Sequence, residues 1–201
     1  MGKVVLDISM SLDGYISGQN DSQIQPLGDG GEFIQNWLFD GNESSSYNDF
    51  FKLSSTNKKV FDNTVANTGA MIVGRRTFDI VKGWGGGSHP IQGIPIFVVT
   101  HQKPDSYIEE NTTFTFVTDG IKSAVEQAKK AAQDKNISIG TAHIAQQCIQ
   151  EGLLDEMLLH VSPVLLGGGI RLFEQNSKVK LKNIETIAAD NVTHLKYSLL
   201  Y

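Results

Sequence analysis

Two adjacent arginines follow a short apolar run in "MIVGRRTFDIV", residues 71 to 81. A buried parallel strand would end at Gly74. Arg75, Arg76 and Thr77 would then start the next helix, where free backbone N–H groups favour an anion. Glycine permits close backbone approach, and an arginine can bind phosphate through two parallel hydrogen bonds. The segment therefore predicts a phosphate-binding site, and a surface salt bridge is the alternative for each arginine.

Two further strand ends carry polar residues of the same kind. The apolar run "IPIFVVT" ends in Thr100, followed by His101 and Gln102, which could bind a second part of the same ligand or form an ordinary polar turn. In "GTAHIAQQ", Gly140 precedes a helix start whose N–H groups would face a diphosphate. The spacing is neither GxGxxG nor GxxxxGK[ST], so neither an ordinary dinucleotide fold nor a phosphate-loop NTPase is indicated.

Strand and helix patterns alternate along the chain and should position these residues. "KVVLDISM" has the period of a strand with two unlike faces, and later apolar runs are typical of buried strands. Residues 121–132 and 144–149 have helical spacing, and residues 47–66 are compatible with one broken helix. The alternation predicts an α/β fold in a single domain, residues 1–201, with a largely parallel sheet and helices on both faces.

Composition excludes several classes of partner. The 201 residues carry a net charge of −5, which argues against a broad contact with nucleic acid or an anionic membrane. Cys148 is the only cysteine, and no apolar run approaches the roughly 20 residues of a membrane helix, so we expect a cytoplasmic protein. The five histidines lack metal-ligand spacing, so no metal is predicted.

Several of these segments together resemble the dihydrofolate reductase-like superfamily, most of all the branch of the riboflavin-biosynthesis reductase (the RibD C-terminal domain). They are "SMSLDGYIS", "MIVGRRTFD", "PIFVVTHQKP", "ISIGTAHIAQQCIQEGLLDEMLLHVSPVLLGGGIRLF" and the alternating last strand, and they span roughly residues 3 to 200. The resemblance implies a three-layer α/β/α fold with a mixed, mostly parallel sheet and an antiparallel C-terminal strand. It also implies NADPH as cofactor and a homodimer.

Carried over by position, the resemblance assigns residues to parts of NADPH. Cofactor contacts would come from four segments of the chain: Ser9 and Ile16 at the nicotinamide; Gly74, Arg75, Arg76 and Thr77 at the adenosine phosphates; Thr100, His101 and Gln102 near the 2'-phosphoribose; and Gly140, Thr141, Ala142, His143 and Ile144 along the diphosphate. Asp13 would shape the loop over the nicotinamide, or alternatively only cap a turn before Gly14. Trp84 would cover a planar substrate or pack under a loop.

Two departures from the family pattern are visible. Members of the family commonly have consecutive glycines where this chain has Gly140-Thr141-Ala142, so we expect either strain at Thr141 or a different path of the loop. Dihydrofolate reductases also place a carboxylate on the helix before the "GRRT" strand. Here that helix offers Asp49 and Asp62 at spacings that do not clearly match, so folate reduction is not expected.

The resulting hypothesis is an NADPH-dependent reductase of a small heterocyclic or imine-like substrate, with protons delivered by solvent or by Asp62. The alternative is a catalytically weak NADP(H)-binding module of the same fold. A hydrolase that uses Arg75 and Arg76 on a substrate phosphate is disfavoured, because no clustered acids or metal ligands accompany the arginines.

Overall fold

The computed structural model describes residues 2–81, 93–104, 114–174 and 178–201. Within these ranges the chain forms twelve β-strands, four α-helices and one 3₁₀ helix. The strands are β1 (Val4–Ser11), β2 (Tyr15–Ser17), β3 (Glu43–Ser44), β4 (Lys52–Leu53), β5 (Thr68–Gly74), β6 (Ile96–Val99), β7 (Phe114–Val117), β8 (Asn136–Ile139), β9 (Glu156–Ser162), β10 (Ile170–Arg171), β11 (Lys180–Ala189) and β12 (Val192–Leu200). The helices are the 3₁₀ helix (Gly31–Leu38), α1 (Ser55–Asn67), α2 (Arg75–Ile80), α3 (Ile121–Ala132) and α4 (Ala142–Gln150).

Eight strands form one sheet in the order β11-β12-β9-β1-β8-β5-β6-β7. The six strands from β9 to β7 run parallel to one another, whereas β12 runs antiparallel to β9 and β11 antiparallel to β12. The predicted mixed, mostly parallel sheet with a reversed C-terminal strand is therefore confirmed. Because the six parallel strands share one direction, their carboxyl ends meet at one edge of the sheet.

Apolar side chains fill both faces of the sheet, as expected for strands covered by helices on each side. One core combines alternate residues of β1, β5 and β8, including the fully buried Leu6, Ile72 and Ile139, with the apolar faces of α3 and α4. A second core lies on the opposite face, where Phe78 of α2 packs among alternate residues of β5, β6 and β7. This layering holds the starts of α2 and α4 at the carboxyl edge.

The segment predicted as one broken helix over residues 47–66 is helical only from Ser55 onward. The Ser54 hydroxyl accepts a hydrogen bond from the Asn57 backbone N–H, which caps α1 and fixes its start. Before this cap, the short strands β3 and β4 pair with each other. The α1 helix covers the sheet face that carries Val5 and Asp7, opposite the face of α3 and α4.

Candidate functional site

A cavity of about 570 Å³ opens at the carboxyl edge of the sheet. It lies where β5, β6 and β8 end side by side, with Gly74 of β5 paired to Val99 of β6. Thirteen of the fourteen residues predicted to contact a cofactor line it: Ile16, Gly74, Arg75, Arg76, Thr77, Thr100, His101, Gln102, Gly140, Thr141, Ala142, His143 and Ile144. The structure thus brings together residues that lie more than 120 positions apart in the chain.

Both arginines form salt bridges at the wall of the cavity, as one of the two alternatives expected, and their contact with a phosphate stays a prediction. Arg75 Nε donates to the two carboxylate oxygens of Asp79 at 2.8 and 2.9 Å, and its Nη1 donates to the Gln102 carbonyl at 2.9 Å. Arg76 Nη2 donates to Asp21 at 2.6 Å. Ion pairs this exposed contribute only about 0–1 kcal/mol, so an arriving phosphate can replace them at small cost.

Thr141 supplies a sign that the cavity accommodates a polar ligand. Its hydroxyl oxygen is buried and has no hydrogen-bond partner among the described residues, although it lines the cavity. The residue precedes α4, whose first N–H groups also lack intrahelical acceptors. A ligand oxygen at this place would satisfy both, since an unpaired buried hydroxyl costs about 1–3 kcal/mol. The residues present therefore fit a dinucleotide diphosphate.

The backbone at Thr141 does not have the strain that the missing glycine pair suggested. Its φ of −139° and ψ of 138° are extended values that any residue adopts. The described peptide bonds are all trans. Of the two expectations for this loop, a different path therefore agrees with the structure.

Ser9, the fourteenth predicted cofactor residue, does not line this cavity. Its hydroxyl accepts a hydrogen bond from Trp37 Nε1 at 2.9 Å and donates to Gln35 at 3.3 Å, and the residue is buried. The Ser9 hydroxyl is therefore buried and already has two hydrogen-bond partners. The predicted contact of Ser9 with a nicotinamide stays a prediction.

Asp13 lies in the turn between β1 and β2 and holds two loops together. Its carboxylate accepts hydrogen bonds from the Ser11 hydroxyl at 2.6 Å and from the backbone N–H groups of Leu166 and Gly167 at 3.1 and 2.8 Å. The hydrogen bond from Ser11 lowers the pKa of Asp13. Desolvation raises this pKa, but the two backbone hydrogen bonds lower it as well, so the net shift is downward. Trp84, the other residue predicted on the substrate side, lies outside the described residues.

Asp62, predicted as a candidate proton donor, lies in α1 and is not among the residues that line the cavity. Its carboxylate accepts hydrogen bonds from the hydroxyls of Ser45 and Ser46, from the Ser46 N–H and from Lys58. Burial raises the pKa of Asp62, but these hydrogen bonds outweigh it, so the pKa lies below 3.8. The arrangement anchors the β3 segment to α1, and the prediction of proton delivery stays untested.

The Asp62→Asn variant should be less stable than the wild type by about 1–3 kcal/mol at pH 7, because it removes a charged acceptor of several hydrogen bonds. A carboxylate with a lowered pKa stabilises the fold above its unfolded pKa. The difference between the two proteins should therefore shrink as pH falls below 3.8. Urea unfolding at pH 7 and at pH 3 measures it, and a difference independent of pH would contradict it. Unchanged turnover of this variant would remove Asp62 as proton donor.

Sequence reasoning missed a row of polar side chains on the α1 face of the sheet. His160 of β9 and His194 of β12 are direct partners in the antiparallel pairing, with their Nδ1 atoms 2.6 Å apart. His160 Nε2 lies 2.8 Å from Asp7 Oδ1, and His194 Nε2 lies 3.0 Å from Asn57 Oδ1. The one available signal was a histidine at a buried position in each of two apolar strands.

The described residues contain neither a metal-binding group of side chains nor a helix that could span a membrane. In those parts of the chain, no three histidine, cysteine, aspartate or glutamate side chains come together as a metal-binding group. Nor does any described helix have the length and apolar character needed to cross a membrane.

Comparisons with known proteins agree with this fold. The uncharacterized protein YwjB of Bacillus subtilis (strain 168) is 29% identical over 185 residues, which cover 90% of this chain and 89% of YwjB. A solved protein from Shewanella sp. PV-4, provisionally assigned to riboflavin biosynthesis, matches with a TM-score of 0.69 at 22% identity and covers 99% of each chain. Dihydrofolate reductase from Enterococcus faecalis, solved with NADP(H), matches with a TM-score of 0.55 at 14% identity, over 98% of this chain and 96% of that one.

These likenesses to solved structures establish the dihydrofolate reductase-like fold. Residues 2–193 match the sequence profile of the RibD C-terminal domain. The chain belongs to the RibD C-terminal domain family.

Proposed function

We propose that the protein is an NADPH-dependent reductase that transfers hydride to a small heterocyclic or imine-like substrate. The pterin and aminopyrimidine class, such as the substrate of 5-amino-6-(5-phosphoribosylamino)uracil reductase, supplies the candidates. The cavity at the carboxyl edge carries the proposal, because it combines two arginines, a helix start and the unpartnered Thr141 hydroxyl. The dihydrofolate reductase that shares the fold was solved with NADP(H), which supports this choice of cofactor.

Each wall of the cavity has a role in this proposal. Arg75 and Arg76 bind adenosine phosphates through charge-assisted hydrogen bonds. Thr100 and His101 contact the 2'-phosphoribose, and the N–H groups at the start of α4 bind the diphosphate. Bound NADPH would supply a hydride. The protein orients the two reactants and excludes water from the reacting atoms.

Thermal unfolding with NADPH, with NADH and with neither nucleotide tests cofactor binding. NADPH at 100 times its Kd should add about 2.7 kcal/mol to the free energy of unfolding. NADH lacks the 2'-phosphate and should add clearly less at the same concentration. If neither nucleotide raises the unfolding temperature, the reductase proposal is overturned.

Consumption of NADPH with pterin and aminopyrimidine compounds tests the reaction itself. Absorbance at the NADPH band should fall only when protein, NADPH and a substrate of this class are all present. Binding of NADPH without consumption across such a panel would instead favour the NADP(H)-binding module.

We also infer a homodimer, as the family resemblance implies. The edge strand β11 exposes Leu181 and Ile184 to solvent, and Leu200 and Tyr201 at the end of the chain are exposed as well. An edge strand with exposed apolar side chains favours pairing with another chain. Light scattering coupled to size-exclusion chromatography measures the mass, and a monomer at micromolar concentration would contradict the inference.

A further inference from the structure

The row of polar side chains on the α1 face contains a sequence of hydrogen bonds whose directions can be worked out. At one end, Asn57 Nδ2 lies 3.3 Å from the Trp37 carbonyl oxygen, which can only accept. The amide nitrogen of Asn57 therefore faces Trp37, and its oxygen faces His194 Nε2 at 3.0 Å. Because an amide oxygen can only accept, His194 must carry a proton on Nε2.

His194 is neutral, which fixes the next bond. Burial, with the positive charge of His160 beside it, lowers the pKa of His194 to about 3. With its single proton on Nε2, the ring has an unprotonated Nδ1, which can only accept. The 2.6 Å contact between the two Nδ1 atoms is then a hydrogen bond donated by His160.

The last bond of the row must hold a second proton. His160 already carries a proton on Nδ1, and its Nε2 lies 2.8 Å from Asp7 Oδ1. Two acceptors cannot bond to each other, so one proton is shared between His160 Nε2 and the Asp7 carboxylate. The Trp37 ring packs against the His160 ring at an interplanar angle of 38°, with 4.6 Å between ring centroids. The geometry therefore requires one proton between the His160 ring and the Asp7 carboxyl group.

Asp7, at one end of this row of polar side chains, lines a cavity. Asp7 and His194 line a space of about 540 Å³ between α1 and the sheet, within the size range of small-ligand sites. The Asp7 side chain is 19% exposed, whereas His160 behind it is only 6% exposed. The other charged side chains that line this space come from α1, β9, β11, β12 and the residue before β1, whereas β5 and β8 contribute uncharged ones: they are Lys3, Lys59, Glu156, Glu185 and Lys196.

Two of these lysines already have a partner, because both Lys3 and Lys196 form salt bridges with Glu156. Asp7 also lies two residues before Ser9 on the same face of β1, at a distance of about 7 Å from the predicted nicotinamide contact. Asp7 is also the lining residue that lies nearest along β1 to the predicted cofactor contacts, because its neighbour Leu6 pairs with Ile139, the residue before Gly140.

We propose that Asp7 and His160 supply the proton of the reduction, with Asp7 as the group that touches the substrate in this α1 cavity. The inference rests on the reductase function proposed above. The substrate class is a heterocycle with a C=N bond: hydride adds to the carbon, the π-electron pair moves to the nitrogen, and the nitrogen takes the proton that His160 and Asp7 share, through the Asp7 carboxyl group. His160 is then a neutral ring that keeps its Nδ1 proton. Water in the open cavity then returns one proton to the pair.

His194, Asn57 and Trp37 are positioning residues in this proposal. The neutral His194 ring accepts from His160 Nδ1 and so prevents the proton from leaving on that side. Asn57 in turn fixes the tautomer of His194. The proton of the pair can therefore move only toward Asp7 and the cavity.

Nuclear magnetic resonance of protein labelled with ¹⁵N-histidine shows which ring nitrogens carry protons, without any substrate. At pH 8, His160 should carry protons on both ring nitrogens, and His194 on Nε2 alone. The exposed rings of His101 and His143 provide reference signals in the same sample, and His160→Gln assigns the resonances. A His160 ring with one protonated nitrogen, or a His194 protonated on Nδ1, would overturn the proposal.

Asp7→Asn and Glu185→Gln form a matched pair, because both remove a carboxylate from the same cavity but only Asp7 contacts His160. In Asp7→Asn, His160 should lose its second ring proton at pH 8, while Glu185→Gln should keep it. Rates of NADPH consumption with a dihydropterin or an aminopyrimidine should fall about 10²–10⁴-fold in Asp7→Asn. A wild-type rate in this variant would also overturn the proposal.

The outcomes separate this inference from the proposed function. A doubly protonated His160 without any NADPH-dependent thermal shift would leave the proton pair in place but remove the reductase, and the catalytic role with it. An NADPH shift with a singly protonated His160 would retain the reductase and remove Asp7 and His160 as its proton source.

Discussion

Simultaneous replacement of Arg75 and Arg76 by alanine is expected to raise the Kd for NADPH at least 100-fold. A hydrogen bond to a charged group contributes about 1.5–3 kcal/mol, so two lost arginines remove about 3 kcal/mol or more of binding free energy. Each 1.4 kcal/mol corresponds to a factor of ten. The loss of fold stability should be small, because the side chains of both arginines and of Asp79 are at least one-third exposed.

Isothermal titration of NADPH into the double variant and into the wild type measures this effect. Lys180→Ala/Lys182→Ala is the matched control, since it also removes two positive charges, from exposed positions of β11. The control should bind NADPH as the wild type does. Equal weakening in both double variants would show a general effect of net charge and would remove the arginines from the binding site.

The part of the site that could be predicted depends on short motifs at strand ends. Gly74-Arg75-Arg76-Thr77 and the Gly140 segment are local in sequence, and each follows an apolar run that is typical of a buried strand. Once those strands are parallel neighbours, sheet geometry alone brings their carboxyl ends together. That is why a single cavity contains almost all of the predicted cofactor contacts.

The polar row on the α1 face could not be predicted in the same way. His160 and His194 meet because β12 pairs antiparallel with β9 in one register, and a shift by one residue would turn His194 to the other face. The partners lie 34 and 153 residues apart along the chain. No local pattern specifies such a pairing.

Two further features of the fold escaped prediction for different physical reasons. The edge strand β11 exposes seven consecutive residues from Lys180 to Thr186, so the usual alternation of apolar and polar residues is absent. The start of α1 depends on the Ser54 cap, whose signal is weak because several other serines precede it. The broken helix predicted over residues 47–66 therefore began too early, since helix α1 starts only at Ser55.

The second large effect is expected at Trp37, which holds the proton-bearing row in place. The residue is 3% exposed, and its ring contacts both His160 and His194, with centroid distances of 4.6 and 5.2 Å. Its indole N–H donates to Ser9, and its carbonyl fixes the orientation of Asn57. The side chain thus provides packing, a hydrogen bond and the face against which the His160 ring lies.

Trp37→Ala should lower the free energy of unfolding by about 3–5 kcal/mol, because it leaves a cavity the size of an indole in the core. Trp37→Phe keeps an aromatic ring but loses the bond to Ser9, so its loss should be smaller. Phe39→Ala, at a residue 44% exposed in the same segment, is the matched control and should cost less than half as much as Trp37→Ala. Urea unfolding followed by circular dichroism gives all three values.

The order of these three losses distinguishes the roles of the ring. If Trp37→Phe costs as much as Trp37→Ala, the hydrogen bond from the indole to the buried Ser9 hydroxyl outweighs packing, and its loss is the main penalty. If Trp37→Phe is nearly as stable as the wild type, packing against the two histidines dominates. In that case the Trp37→Phe variant is expected to keep the proton between His160 and Asp7, because the backbone carbonyl of residue 37 and the hydrogen bonds of the row do not depend on the indole.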